Sequence, residues 1–414
     1  MTTKSFVLYL QHDRILADYR LTHIGSGAPY WDEDATRKSF LRRAGTLYWP
    51  LVRMLSTATK KHSQTLNLSL SLGGSFLELC QTHDPALFTA LQKLLTLPNI
   101  GLVCTPRHGG ALFGNSDAEF ISNLQIQRKW LRELFNKDAS IVHLPHLLYG
   151  DYTGKLMINA GFNGAIIDGW EPALPGELNA NHVFHHPENP SFKILASNFS
   201  FTEDFNSYCE RSSKNHFAVS AERYIAWLKK TGANPSTEVI TSFLDLSGPG
   251  AENSDVLCFL SDVFNNLAES PTTKLVTADA AIRQPSRGAV RCTTIISNKL
   301  PTHDANHWIG SSLQQDFLEK TNSLTSRIRH HENHLLLDAW RNLFSTTNLS
   351  HMHIRHYTED GSDLDHLPNP YDISLSLLNI LEDLELALCK LEHGETPAVQ
   401  FRHNGSNPSL MATN

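Results

Sequence analysis

At 414 residues the chain is longer than one compact core usually runs, which implies a large domain with an appendage. Its composition, 41% hydrophobic and 19% charged, excludes disorder over most of its length. A net charge of −7 with no Lys/Arg block argues against nucleic acid or an anionic membrane as the main partner. The opening MTTKSFVLYLQHD lacks a signal-peptide core, and no stretch approaches the roughly 20 apolar residues of a membrane span. Six cysteines lie scattered without a CxxC, several inside apolar runs, so reduced thiols and a cytoplasmic location are expected.

In chain order, short apolar runs recur through the first 250 residues: FVLYLQ (6–11), LNLSLSL (66–72), NIGLVC (99–104), IVHLP (141–145), GAIID (164–168), FKILASN (192–198) and VITSFLDL (239–246). Near-continuous apolarity marks parallel strands buried on both faces. Helical periodicity lies between them. SDAEFISNLQIQRKWLRELF (116–135) opens on a Ser116-x-x-Glu119 capping-box pattern and places Phe120, Leu124, Leu131, Leu134 and Phe135 at helical spacing. SAERYIAWLKKTG (220–232) ends on glycine, as helices often do. Seven strands alternating with helices predict a closed or nearly closed (β/α)7 barrel over residues 1–300. From there HWIGSSLQQDFLEKTNSLTSRIR (307–329), HENHLLLDAWRNLF (331–344) and PYDISLSLLNILEDLELALCKLEH (370–393) predict a C-terminal α-helical bundle, residues 301–395, packed on the barrel. Residues 396–414 read as a polar, loose tail.

Several stretches match a known pattern. DYRLTHIG (18–25), PYWDE (29–33) and LRRAGTLYWPLVRML (41–55) follow the first strand; GGSFLELCQTHDPALFTALQKL (73–94), WIGSSLQ (308–314) and WRNL (340–343) come later. In order and spacing they resemble the α-amylase branch of glycoside hydrolase family 57, over roughly residues 6–390. The resemblance implies a (β/α)7 barrel followed by a helical domain that completes the active-site cleft. The family's chemical motifs are altered here. Its first, His-Gln-Pro, falls on Gln11-His12-Asp13, and of its second, "ETYxHS", only His108 survives. Its third carries the nucleophilic glutamate, where LPHLLY places His146. Its fourth carries the acid/base aspartate, kept as Asp245, with Ser247 in place of a neighbouring glutamate. Its fifth, "SDH", has become Thr346-Thr347-Asn348.

A retaining glycosidase needs two carboxyl groups about 5–5.5 Å apart. Asp245 could still serve as acid/base, but an imidazole at position 146 brings no negative charge to an oxocarbenium-like transition state. Asp13, Asp151 and Asp168 are the other carboxylates conceivable for an inverting route, and none matches a catalytic position of the family. The expected protein is therefore an α-amylase-like pseudoenzyme of carbohydrate metabolism. Its partner would be an α-glucan or related saccharide, with a further possible link to a polysaccharide-synthesising or -degrading enzyme, and no cofactor.

Saccharide contacts are expected from His12, Asp13, His108, Trp170, Glu203 and Asp204, with Trp31, Trp49, Asn198 and Thr202 as further candidates. For Trp49 packing is the competing reading, and for His146 a neutral histidine held by a neighbour. Two alternatives stay open. His12, Asp13, His108, His146 and Asp245 could form a divalent-metal site, such as zinc, at the barrel mouth, or the chain could be a non-catalytic interaction scaffold. GSG (25–27) and GPG (248–250) lack a phosphate-loop context, no Gly-x-Ser-x-Gly elbow occurs, and HHPENP (185–190) and RHHENH (329–334) read as solvated histidines.

Overall fold

The computed structural model describes residues 2–109, 116–176, 178–209, 219–331, 333–354 and 369–395. The predicted tail at 396–414 lies outside them. The chain forms two compact units, Met1–His12, Ser39–Arg107 and Ile121–Asp304 in the first, and Asp13–Lys38, His108–Phe120 and Ala305–Asn414 in the second. The second unit thus draws on two earlier segments as well as on the chain after residue 304, whereas the sequence suggested one boundary near 300.

The first unit is a parallel barrel. Its strands are β1 (Thr2–Leu10), β2 (Leu68–Leu72), β3 (Ile100–Val103), β4 (Ile141–Val142), β5 (Gly164–Asp168), β6 (Val183–His186), β7 (Asn189–Ser197), β8 (Val239–Asp245) and β9 (Thr273–Val276). The sheet runs β3-β2-β1-β8-β7-β5-β4. Cys104 then pairs with Val142, with Cys104 N–H on the Ile141 carbonyl (2.8 Å) and His143 N–H on the Cys104 carbonyl (3.0 Å). That bridge joins β4 to β3 and brings the ring of seven close to closure. All seven predicted strands stand in the ring. β6, antiparallel to β7, and β9, beside β1, were not predicted. His185 and His186 accordingly belong to a strand and not to a solvated loop. His186 is buried, its Nε2 2.9 Å from the Asp151 carbonyl.

Alternation explains the barrel interior. Val7 and Tyr9 of β1 point inward with Val103, Ile141, Ile166, Leu195, Val239 and Phe243, and form one buried cluster. Ser69 and Ser71, paired with Val7 and Tyr9, are the small partners that let these larger side chains fit. The predicted helices form at Asp117–Phe135 and Ala221–Ala233, the second capped by Ser220. A π turn, Ala44–Tyr48, interrupts the run LRRAGTLYWPLVRML; a single turn of this kind is an insertion that re-aims side chains.

Among the described residues after 304 the second unit forms the helices Asn306–Ile309, Ser312–His330, His334–Leu343, Thr346–His351 and Pro370–Glu392. WIGSSLQ is a helix start. Trp308 is fully buried, Ser311 caps Gln314 N–H, and the Gln314 amide returns to Ser311 N–H (2.9 Å) while donating to the His307 and Leu349 carbonyls (2.8 Å each). Asp383 of the last helix is a buried carboxylate that accepts from Tyr30 OH (2.6 Å) and Gly25 N–H (2.5 Å), and so ties down the stretch carrying DYRLTHIG and PYWDE. Among the described residues no helix is long and apolar enough to cross a membrane. All six cysteines are free and four of them are buried.

Candidate functional site

The C-terminal ends of parallel strands form one mouth, where barrel chemistry resides. In the first unit β4 leads to His146, β5 ends on Asp168 and β8 ends on Asp245. His146 lies in a tight turn, Pro145–Leu147, and both His146 (φ 56°) and Leu147 (φ 54°) hold left-handed backbone. Two successive non-glycine residues in that region are a local strain of the kind functional sites keep. The segment 292–304 straps the turn in place. Tyr149 and Ile296 exchange backbone bonds (2.9 and 2.8 Å), and Asn298 N–H reaches the His146 carbonyl at 2.9 Å. Burial pulls the half-buried His146 imidazole down to about 4; the Asp245 carboxylate works against that and the Lys299 ammonium with it. The ring is therefore neutral at pH 7, with a carboxylate and an ammonium in electrostatic range.

Asp168 is buried and 3.0 Å from His303 Nδ1, which also faces the Ser297 carbonyl at 3.2 Å. Burial lifts Asp168 to about 6, against the pull of His303 and of the Gly169 N–H. The His303 ring stacks on Trp170 (centroids 5.8 Å, 17° between planes) and meets Phe199 edge-on at 5.2 Å. Gly169 separates Asp168 from Trp170 because nothing larger fits: a Cβ there would lie 2.1 Å from the Ser197 carbonyl. His143 completes the interior below the mouth. It is fully buried, its Nε2 2.7 Å from Ser71 Oγ, between Tyr9 and Phe243, and burial brings it to about 4.

Asp245 Oδ1 accepts from the Ser247 backbone N–H (2.8 Å), a bond that closes the turn after β8. Arg43, just before the π turn, donates to the carbonyls of Leu246 (2.8 Å), Ser247 (2.5 Å) and Gly248 (2.8 Å). This positioning residue fixes the loop behind Asp245. Arg43→Gln is expected to lower stability by about 2 kcal/mol, since it removes charge-assisted bonds made by a buried guanidinium. Urea unfolding checks the loss, and faster hydrogen exchange at Leu246–Gly248 locates it; unchanged exchange there would refute the role.

The other predicted residues sit elsewhere or do other work. His12 is buried in an aromatic cluster, Nδ1 2.9 Å from Tyr48 OH and edge-on to Phe40. Burial, helped by Arg43 and Arg42, brings it to about 4. Glu203 and Asp204 are half-buried on the helix Phe199–Cys209, with Asp204 raised by burial. Asn198 bonds Asn181 (2.8 Å) and Thr202 bonds Ser197 (2.9 Å), so both serve the local fold. Asp151 anchors Cys292 N–H at 2.9 Å. Trp49 donates to Asp84 (2.8 Å), the cap of helix Pro85–Leu95, which is a packing role.

In the second unit Asp13 accepts a hydrogen bond from Thr347 Oγ1. His108 Nε2 lies 2.8 Å from Asp338 Oδ1. Trp31 is buried and bridges Leu16. Among the described residues no group of three or more His, Cys, Asp or Glu side chains is placed to hold a metal ion.

The sequence reading passed over His143, His303, Lys299 and Arg43. His143 carried a signal, being two residues from inward-facing Ile141 on one strand. His303 carried none, since its partner Asp168 is 135 residues away.

Comparison with known proteins fits this geometry. A protein of Methanocaldococcus jannaschii named "Putative alpha-amylase" is 23% identical over 386 residues, covering 87% of this chain and 79% of its own. Among solved structures, the branching enzyme of Pyrococcus horikoshii superposes with a TM-score of 0.69 at 11% identity, over 99% of this chain and 93% of that one. The 4-alpha-glucanotransferase of Thermococcus litoralis gives 0.67 at 13% identity over 93% of this chain, which spans 60% of that longer protein. The Thermotoga maritima alpha-amylase gives 0.63 at 13%, over 100% and 99%. At these identities the likeness is one of fold. The model of glycosyl hydrolase family 57 matches residues 8–294, well over half the chain. The chain belongs to glycosyl hydrolase family 57.

Proposed function

We propose that this family 57 protein is α-amylase-like, binds an α-glucan or a related saccharide at the barrel mouth, and does not carry out retaining hydrolysis. The observation that carries the reading is the pairing at the mouth of a neutral imidazole, His146, with Asp245, where the double displacement needs two carboxylates. An imidazole attack would build positive charge beside a cationic transition state, and Lys299 raises that barrier further. Trp170, stacked on His303 beside Asp168, supplies an aromatic face and polar edges of the kind a pyranose uses. The role is then saccharide binding, alone or beside a polysaccharide-synthesising or -degrading enzyme.

Malto-oligosaccharides are expected to raise the melting temperature of the wild-type chain, since a ligand at 100 times its Kd stabilises by about 2.7 kcal/mol. His146→Glu is expected to release reducing sugar at about tenfold the wild-type background, with about 1 kcal/mol lost because glutamate is less at ease in left-handed backbone. If no saccharide shifts the melting curve, the binding reading fails. If wild type and variant hydrolyse alike, the nucleophile reading fails. A zinc-dependent mouth would instead show as stoichiometric metal that is lost in His146→Ala.

A further inference from the structure

On the flank of the barrel, the helix Ala221–Ala233, the segment leading into β8 and the stretch before β6 border an open groove of about 590 Å³. Its lining includes Asn179, Asn181, Trp227, Lys230, Asn234 and Thr237. The volume falls within the roughly 300–1,000 Å³ of small-ligand sites. Thr237 precedes β8 and Asp245 closes it, so a seven-residue strand, about 20 Å, separates this groove from the mouth.

Three features point to a ligand. The half-buried Trp227 ring is braced by the Arg223 guanidinium, 4.6 Å from its centroid. The asparagine amides are oriented through their carbonyl ends: Asn179 Oδ1 accepts from Asn181 N–H (3.0 Å), Asn181 Oδ1 from Asn198 (2.8 Å), and Asn234 Oδ1 from Ser236 N–H and Oγ (3.1 and 2.9 Å). Each amide therefore keeps NH2 donors in fixed directions, with no bond from them among the described residues. Thr237 is only 9% exposed, and its Oγ1 has no hydrogen-bond partner. A buried hydroxyl left unsatisfied is costly, and a ligand that draws the Thr237 side chain toward the groove would satisfy it.

We infer that this groove is a second saccharide site, in which Trp227 stacks on a pyranose face and Thr237, Asn179, Asn181 and Asn234 hydrogen-bond its hydroxyls. Fixed neutral amide donors, the hydroxyls of two threonines, Thr231 and Thr237, and one aromatic face suit a neutral sugar; Lys230 is the only formal charge in the lining. The choice of a neutral glucan rests on the saccharide reading given under Proposed function. The location does not.

The test is ¹⁹F NMR of the full chain labelled with 5-fluorotryptophan, seven resonances in all, with Trp227→Phe and Trp170→Phe as assignments. Maltohexaose is expected to move the Trp227 line saturably. Thr237→Val, nearly isosteric, is expected to weaken that response about tenfold, the scale of one hydrogen bond, with no loss of melting temperature. A Trp227 line that stays fixed up to about 10 mM maltohexaose, where even a millimolar site is mostly filled, would overturn the inference. Movement of Trp170 alone would leave the mouth reading standing and sink this one; movement of Trp227 alone would do the reverse. Tighter response to an oligouronide than to maltohexaose would overturn the assignment to a neutral sugar.

Discussion

On acidification through pH 5 the folded barrel is expected to lose about 2–3 kcal/mol per pH unit. His12, His143 and His146 are each held near 4 by burial, below their ordinary 6.5. A histidine whose folded pKa is depressed stabilises fully above its unfolded pKa. That stabilisation is lost as pH falls from 6.5 toward 4, because the unfolded chain takes protons the folded chain refuses. Asp168 works in the opposite sense. Its folded value is raised from 3.8 to about 6, so its contribution is present below 3.8 and lost as pH rises through 6. Near pH 5 the three rings leave the unfolded chain close to three protons ahead, and Asp168 returns close to one. About two remain, at about 1.4 kcal/mol each per pH unit. Asp204 and Asp279, both raised by burial, act in Asp168's direction and trim the slope. Urea midpoints at pH 7, 6, 5.5 and 5 measure it. His143→Gln should be less stable at pH 7 yet flatter with pH by about one proton's worth; a flat wild-type profile between pH 7 and 5 would contradict the buried neutral imidazoles.

The ring strands were readable because parallel strands buried on both faces leave apolar runs, and GAIID and VITSFLD are of that kind. VFHH and TKLV, the two strands missed, are four residues each with polar members, too short for a period to show. Helix ends came within a few residues because caps are local, as Ser220, Asn333 and Asn369 show. Positions at the mouth were legible only where they lie on strand ends: Asp245 closes VITSFLD, Asp168 closes GAIID, and His146 follows β4. What acts on those residues was not. Lys299, His303 and Arg43 come from loops or from across the chain, and only closure of the ring brings them to their partners. A capping box likewise announces a local bond, and Glu119 shows the limit of that inference. Its N–H is capped by Ser116 Oγ as expected (3.2 Å), while its side chain serves a residue over 200 positions away.

That side chain is the second site of large effect. Glu119 is 1% exposed and binds Arg341 through both oxygens, at 2.5 and 3.1 Å, with Arg329 a further 3.9 Å away. A buried ion pair gains little over an apolar pair of the same size, because both charges must leave water. Removing one partner strands the other and is costly. Glu119→Ala is therefore expected to destabilise the helical unit by about 3–5 kcal/mol, and Glu119→Leu with Arg341→Met to stand within about 1 kcal/mol of wild type. The consequence reaches a motif residue, since Arg341 shares the helix His334–Leu343 with Asp338, the partner of His108. In Glu119→Ala the His108 ring resonances should broaden or shift, whereas in the double variant they should return toward the wild-type position. If the single variant costs less than about 1 kcal/mol, the pair is screened by water and is no anchor. If the double variant is as weak as the single one, the two charges do more than neutralise each other, and the geometry of the fork is what holds the helix carrying Asp338.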